Sequence, residues 1–124
     1  MKVQRGDVVF LEFPFSDGSG AKVRPAVVLQ SDRENQRLTS TVVAMISGNL
    51  NLIGREPGHI LIDIQSEDGR DSGLKYSSAV NLHSLYSVHC DRTERITGSL
   101  TKNLMQQIAQ QLVATLDLAS GLPE

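Results

Sequence analysis

Arg24 stands where chemistry would want a cation. It opens an otherwise apolar stretch, Arg24-Pro25-Ala26-Val27-Val28-Leu29, and a guanidinium at the rim of a strand can grip a phosphate through two parallel hydrogen bonds or stabilise the charge that builds as a phosphodiester reacts. Ser47 closes a second apolar run, Thr41-Val42-Val43-Ala44-Met45-Ile46, and its hydroxyl can donate to the same kind of oxygen. The two meet only if their strands are neighbours in a register that brings these ends together. Otherwise Arg24 is a salt-bridged edge residue and Ser47 a turn residue.

Other chemistries are poorly provided for. His59, His83 and His89 lie far apart in the chain, no pair has helical ligand spacing, and Cys90 has no second thiol, so no metal site and no cofactor is expected. His89 and Cys90 are adjacent, which on an extended chain points them to opposite sides and disfavours a thiol–imidazole pair. Asp17-Gly18-Ser19-Gly20 falls between two strands and lacks the helix N-terminus that lets such glycines hold phosphate; it reads as a hairpin loop. Glu67 and Asp68, in a polar run with Asp71, read as a solvated loop.

The elements that must position Arg24 and Ser47 are short strands. Apolar and β-branched runs at 7–13, 24–30, 41–46, 59–64 and 77–85 predict five, with Pro25 at a strand start or an edge because it lacks an N–H. The pattern then changes period. Leu104, Met105, Ile108, Ala109, Leu112, Val113 and Leu116 recur at helical spacing, giving an amphipathic C-terminal helix capped by Ser99 or Thr101 and stopped at Gly121-Leu122-Pro123. The expected fold is mainly β with a C-terminal helix, a small barrel or curled sheet forming one domain over 1–124. Segments 47–58 and 65–76 are about twice the usual connection length of ~4–6 residues, a length often used for binding.

Composition narrows the class. The 124 residues are 40% hydrophobic and 21% charged, with a formal net charge of −2, the balance of a globular protein. A lone cysteine excludes a disulfide-stapled scaffold. The first residues lack the apolar core of a signal peptide, and no run suffices to span a bilayer, so a cytoplasmic location is expected. Residues 1–48 carry six bases against five acids, and 49–124 carry six against nine, which is no basic stripe. Phe10, Phe13, Phe15, Tyr76 and Tyr86 are the whole aromatic complement, too few for an extended base-stacking platform.

Arg5-Gly6-Asp7-Val8-Val9, Phe13-Pro14-Phe15, Arg24-Pro25-Ala26-Val27-Val28-Leu29 and Val42-Val43-Ala44-Met45-Ile46-Ser47 together resemble the MazF/PemK family of toxin–antitoxin toxins, and weaker similarity runs through the rest of the chain. The resemblance implies an SH3-like β-barrel with a C-terminal helix, usually a homodimer. It implies a sequence-specific, metal-independent endoribonuclease that cuts single-stranded RNA through attack of a 2′-hydroxyl, leaving a 2′,3′-cyclic phosphate and a 5′-hydroxyl, and that is held by a cognate antitoxin. Arg24 matches the family's catalytic arginine, and Ser47 the position usually held by a catalytic threonine. Phe13 matches an aromatic position at the substrate groove and serves equally as core, while Lys22 falls in the first hairpin loop, which moves over RNA. Two other uses of the same barrel remain open: a CcdB-like toxin that binds DNA gyrase, and an inactive binding module. Neither needs the Arg24/Ser47 pair.

Overall fold

A computed structural model of the chain describes residues 2–14 and 20–121. Six strands, β1 (Asp7–Pro14), β2 (Ala21–Val28), β3 (Ser40–Ser47), β4 (His59–Ile62), β5 (Ser78–His89) and β6 (Thr93–Ser99), are joined by two α-helices, α1 (Asp32–Arg37) and α2 (Lys102–Thr115). The strands form one antiparallel sheet in the order β4-β5-β3-β2-β1-β6. This is the expected β-rich fold with a terminal helix, although no ladder joins β4 to β6 to close a barrel among the described residues.

The apolar runs are continuous because both faces of the sheet are buried. Val8, Val27, Ala44 and Ile46 turn to one face, where they pack with Leu104 and Ile108 of α2. Val9, Leu11, Ala26, Val28 and Val43 turn to the other, with Val3, Val88 and Cys90. Among the described residues no α-helix contributes to that second cluster, so its burial comes mainly from the curl of the sheet itself. Full burial of a side chain such as Ile108 contributes roughly 1.5–3 kcal/mol.

Strand β6, missed in the sequence, is a polar edge, Thr-Glu-Arg-Ile-Thr-Gly-Ser, in which only Thr93 is buried, so it carries no alternating apolar signal. Strand β5 runs on to His89, and β4 stops at Ile62. Pro25 lies inside β2, not at its start, and β2 is an interior strand. Helix α1 has no apolar stripe either. It is held by its cap, Ser31 accepting from the Glu34 N–H at 3.4 Å, by the Glu34–Arg37 pair at 2.6 Å, and by buried Asn35. Asn35 accepts from the Thr41 hydroxyl at 2.7 Å and the Gln30 amide at 3.0 Å, and donates to the Gln30 carbonyl at 2.9 Å.

The Arg5-Gly6-Asp7 opening is structural. Gly6 takes a positive φ of 93°, which favours glycine, and its N–H and carbonyl bridge Val28 and Leu100 at 2.8 and 2.9 Å. Arg5 donates from its side chain to the Leu29 carbonyl and from its backbone to Asp32, and Asp7 accepts from the Gln4 N–H.

Thr101, not Ser99, caps α2, accepting from the Leu104 N–H at 3.2 Å. The helix ends at Thr115, where Asp117 adopts a left-handed φ of 53°, ahead of the expected stop; Leu122 and Pro123 lie outside the described residues. Asp68 is no solvated bystander. It accepts from Asn103 at 2.7 Å and from Thr101 at 2.8 Å, pinning the 63–77 loop to the start of α2.

Two outcomes are expected. Asn35→Ala leaves the Thr41 hydroxyl and the Gln30 amide without that partner and should cost about 1–3 kcal/mol in urea unfolding, against less than ~0.5 for exposed Gln36→Ala. The hydrogen bonds from Asn103 and then Thr101 lower the Asp68 pKa from 3.8. Its stabilisation is therefore complete above 3.8 and lost as pH falls through the lower folded-state value. Burial raises the Asp7 pKa, with the opposite sense. The difference in melting temperature between the parent and Asp68→Asn therefore isolates Asp68: the parent's advantage near neutral pH should shrink as pH falls below 3.8.

Candidate active site

The β2–β3 ladder runs from Val28↔Val43 through Ala26↔Met45 and goes no further. The next residue of β2 is Pro25, which has no N–H to donate. Past that point β2 stays paired with β1 alone, through Phe10↔Pro25, Leu11↔Arg24 and Phe13↔Lys22, while β3 stays paired with β5, through Ile46↔Val80 and Ser47↔Ala79. The sheet forks. Arg24 on β2 and Ser47 on β3 each lie two residues beyond the last ladder pair, Ala26↔Met45, one on either prong of the fork.

A groove of about 1330 Å³ occupies the fork, and Arg24, Ser47, Lys22 and Phe13 all line it. Arg24 and Lys22 are exposed, and Ser47 is half-buried. The Ser47 oxygen accepts from the Asn49 N–H at 3.1 Å, which fixes the hydroxyl and leaves its proton to donate. Lys22 sits on strand β2, not in the hairpin loop, and Asp17 to Ser19 of that loop lie outside the described residues. Phe13 is mainly core, 9% exposed. Its ring meets Tyr86 edge-to-face at 5.3 Å, so the tyrosine presents the aromatic surface.

The lining holds residues that the sequence did not single out. Among the described residues, the cations Lys75, Arg92 and Arg95 line the groove besides Arg24 and Lys22, against one carboxylate, Glu12. Arg95 lies over the Phe10 ring at 4.2 Å, a cation–π contact that orders its guanidinium. Four of the five aromatic residues, Phe10, Phe13, Tyr76 and Tyr86, are in this lining, and the fifth, Phe15, lies outside the described residues. Tyr76 is 66% exposed and covers Gly48, where a Cβ would stand 3.1 Å from the ring. The aromatic complement is small and concentrated. Arg95 was hidden because strand β6 was, Arg92 because it lies in the short 3-10 turn, Cys90–Arg92, that leads into β6, and the tyrosines because nothing in their local sequence marks which face they take.

His89, the last residue of β5, is exposed, and Cys90, the first of the short 3-10 turn that follows, is buried. Two other histidines depart from the sequence reading. The antiparallel β4–β5 pair, with His59 opposite Asn81, brings His59 and His83 to a ring-centroid distance of 5.4 Å, a proximity that sequence separation concealed. Neither lines the groove.

A curled antiparallel sheet backed by one C-terminal helix, forked to hold a basic, tyrosine-lined groove, defines a small mainly-β fold. Residues 4–116 match the model of the PemK-like, MazF-like toxins of type II toxin–antitoxin systems, and the chain belongs to that family. Among curated relatives, endoribonuclease MazF6 of Mycobacterium tuberculosis is 27% identical over 120 residues, covering 95% of this chain and 100% of the relative. Endoribonuclease EndoA of Bacillus subtilis is 28% identical over 120 residues, covering 95% and 97%. The fold matches a mycobacterial endoribonuclease solved in complex with its cognate antitoxin, with a TM-score of 0.72 at 20% identity over 98% of each chain. It also matches a MazE-MazF structure from Deinococcus radiodurans, with a TM-score of 0.71 at 16% identity over 94% and 98%.

Proposed function

We propose that this chain is an endoribonuclease toxin that cuts single-stranded RNA in the forked groove, without a metal ion, by attack of a ribose 2′-oxygen on the adjacent phosphorus. The observation that carries the reading is the convergence of Arg24 and Ser47 on one basic groove. In the step, the 2′-hydroxyl loses its proton, the O2′–P bond forms and the P–O5′ bond breaks. O5′ takes up a proton, leaving a 2′,3′-cyclic phosphate and a 5′-hydroxyl. Negative charge peaks on the non-bridging oxygens midway. Arg24 stabilises it with a planar fork of donors, and the Ser47 hydroxyl adds a donor held in place by Asn49. Tyr76 and Tyr86 stack unpaired bases, which favours a single strand over a duplex.

The toxin acts as a homodimer in the cytoplasm and is restrained by a cognate antitoxin. Support for the antitoxin comes from family membership and from the solved relative's complex with one. No helix among the described residues is long and apolar enough to cross a membrane.

Incubation with a long RNA in EDTA should give discrete cuts whose 5′ ends accept ligation only after enzymatic phosphorylation. Arg24→Ala should slow cleavage about 10²–10³-fold, and Ser47→Ala about 10–100-fold, with Ser47→Thr active. No cleavage, or cleavage undiminished by Arg24→Ala, would sink the proposal. The same preparations should leave gyrase supercoiling untouched, because a gyrase binder needs neither residue. For a non-cleavable 2′-deoxy oligonucleotide, Tyr76→Ala and Tyr86→Ala should each weaken binding by about 1–3 kcal/mol. With five cations lining the groove, the slope of log affinity against log salt should be no steeper than about −3.5.

A further inference from the structure

Outside the groove, one cluster of side chains holds a polar atom that the fold leaves unsatisfied. His59 opens β4 with its side chain 7% exposed, and its Nε2 is buried with no hydrogen-bond partner. Buried imidazole nitrogens are ordinarily paired. What faces it is Glu56: one carboxylate oxygen lies 3.9 Å from His59 Nε2 and the other 3.5 Å from His83 Nε2. The three ligand atoms lie within 4.8 Å of one another. A single carboxylate is thus aimed at two imidazoles, one of them an orphan.

We propose that Glu56, His59 and His83 form a binding site for a divalent cation of the zinc type, which fastens the 48–58 loop to the β4–β5 hairpin. Two imidazoles and one carboxylate are a donor set for Zn²⁺, Co²⁺ or Ni²⁺ and a poor one for Mg²⁺, which prefers oxygen. Bonds of about 2.0–2.1 Å in a tetrahedron hold ligand atoms about 3.3 Å apart. The contacts of 3.5 and 3.9 Å need a small closure and the widest separation, within 4.8 Å, a larger one, and the two groups that must move, Glu56 and His83, are 47% and 44% exposed. His83 Nε2 stands 2.9 Å from the Pro57 carbonyl. To bind through that nitrogen, His83 carries its proton on Nδ1 and gives up this contact. Water completes the coordination.

The surroundings give the site its role. His83 projects from the bulge where β5 leaves the β3 ladder between Asn81 and Leu85, and the Asn81 side chain accepts its backbone N–H at 2.9 Å. Gly58, between Glu56 and His59, accepts from Leu82 at 2.8 Å and donates to Gln111 of α2 at 2.7 Å. Loop, bulge and helix therefore converge on the cation. The loop begins directly after Ser47, so the cation fixes its far end while the chemistry stays in the groove. This inference stands apart from the ribonuclease reading.

The test uses the full chain, freed of metal by dialysis against a chelator and then against chelator-free buffer. Titration calorimetry with Zn²⁺ should give one site per chain, and the melting temperature should rise with Zn²⁺ concentration but not with millimolar Mg²⁺. Histidine ring resonances should shift for His59 and His83 and hold still for His89. Glu56→Gln and His83→Gln, both at half-exposed side chains, should each weaken Zn²⁺ at least about tenfold, whereas His89→Ala should not. Absence of binding in the parent chain overturns the proposal. So does affinity unchanged in both Glu56→Gln and His83→Gln, or a ring shift confined to His89.

Discussion

The missing N–H of Pro25 is the constraint on which the site depends. In an interior strand a proline interrupts a ladder, and here the β2–β3 ladder stops one residue short of it. The sheet survives the interruption because each strand keeps its other neighbour: β2 stays with β1, and β3 with β5. The local loss of pairing becomes a fork with two firmly held prongs. Arg24 lies inside β2 and Ser47 at the end of β3, so both ride on strands and not on free loops, the rigid placement that the proposed stabilisation of a transition state would require.

The charge distribution follows the same division between scaffold and groove. Several acids hold the fold: Asp32 binds the Arg5 backbone, Glu34 pairs with Arg37, and Asp68 accepts from Thr101 and Asn103. Among the described residues the groove keeps five cations and one carboxylate. A net charge of −2 is therefore compatible with a polyanion site, because field strength in a cleft is set by the charges lining it and not by the total. The aromatic residues tell a similar story, since a complement too sparse for an extended platform still equips one fork.

Much of this was legible in the sequence, and the gaps have physical causes. Strands β1 to β4, most of β5 and helix α2 announced themselves through apolar periodicity, and the Arg24/Ser47 pair through two polar residues bounding apolar runs. Whether those ends met depended on register, which no single strand encodes. Strand β6 and helix α1 were invisible because they bury little apolar surface and rest on hydrogen bonds and edge pairing. With β6 went Arg95, and with the short turn leading into it Arg92. The neighbouring placement of His59 and His83 arises only when β4 and β5 pair, and the docking role of Asp68 only when α2 folds back onto its loop.

If the fork makes Arg24 and Ser47 act on one phosphate, their contributions are not independent. A double-mutant cycle in single-turnover RNA cleavage, comparing Arg24→Ala, Ser47→Ala and the double variant, tests this directly. The account predicts strong non-additivity, the double variant cutting about as slowly as Arg24→Ala alone. Losses that simply multiply would show that the two residues act at separate places and would contradict it.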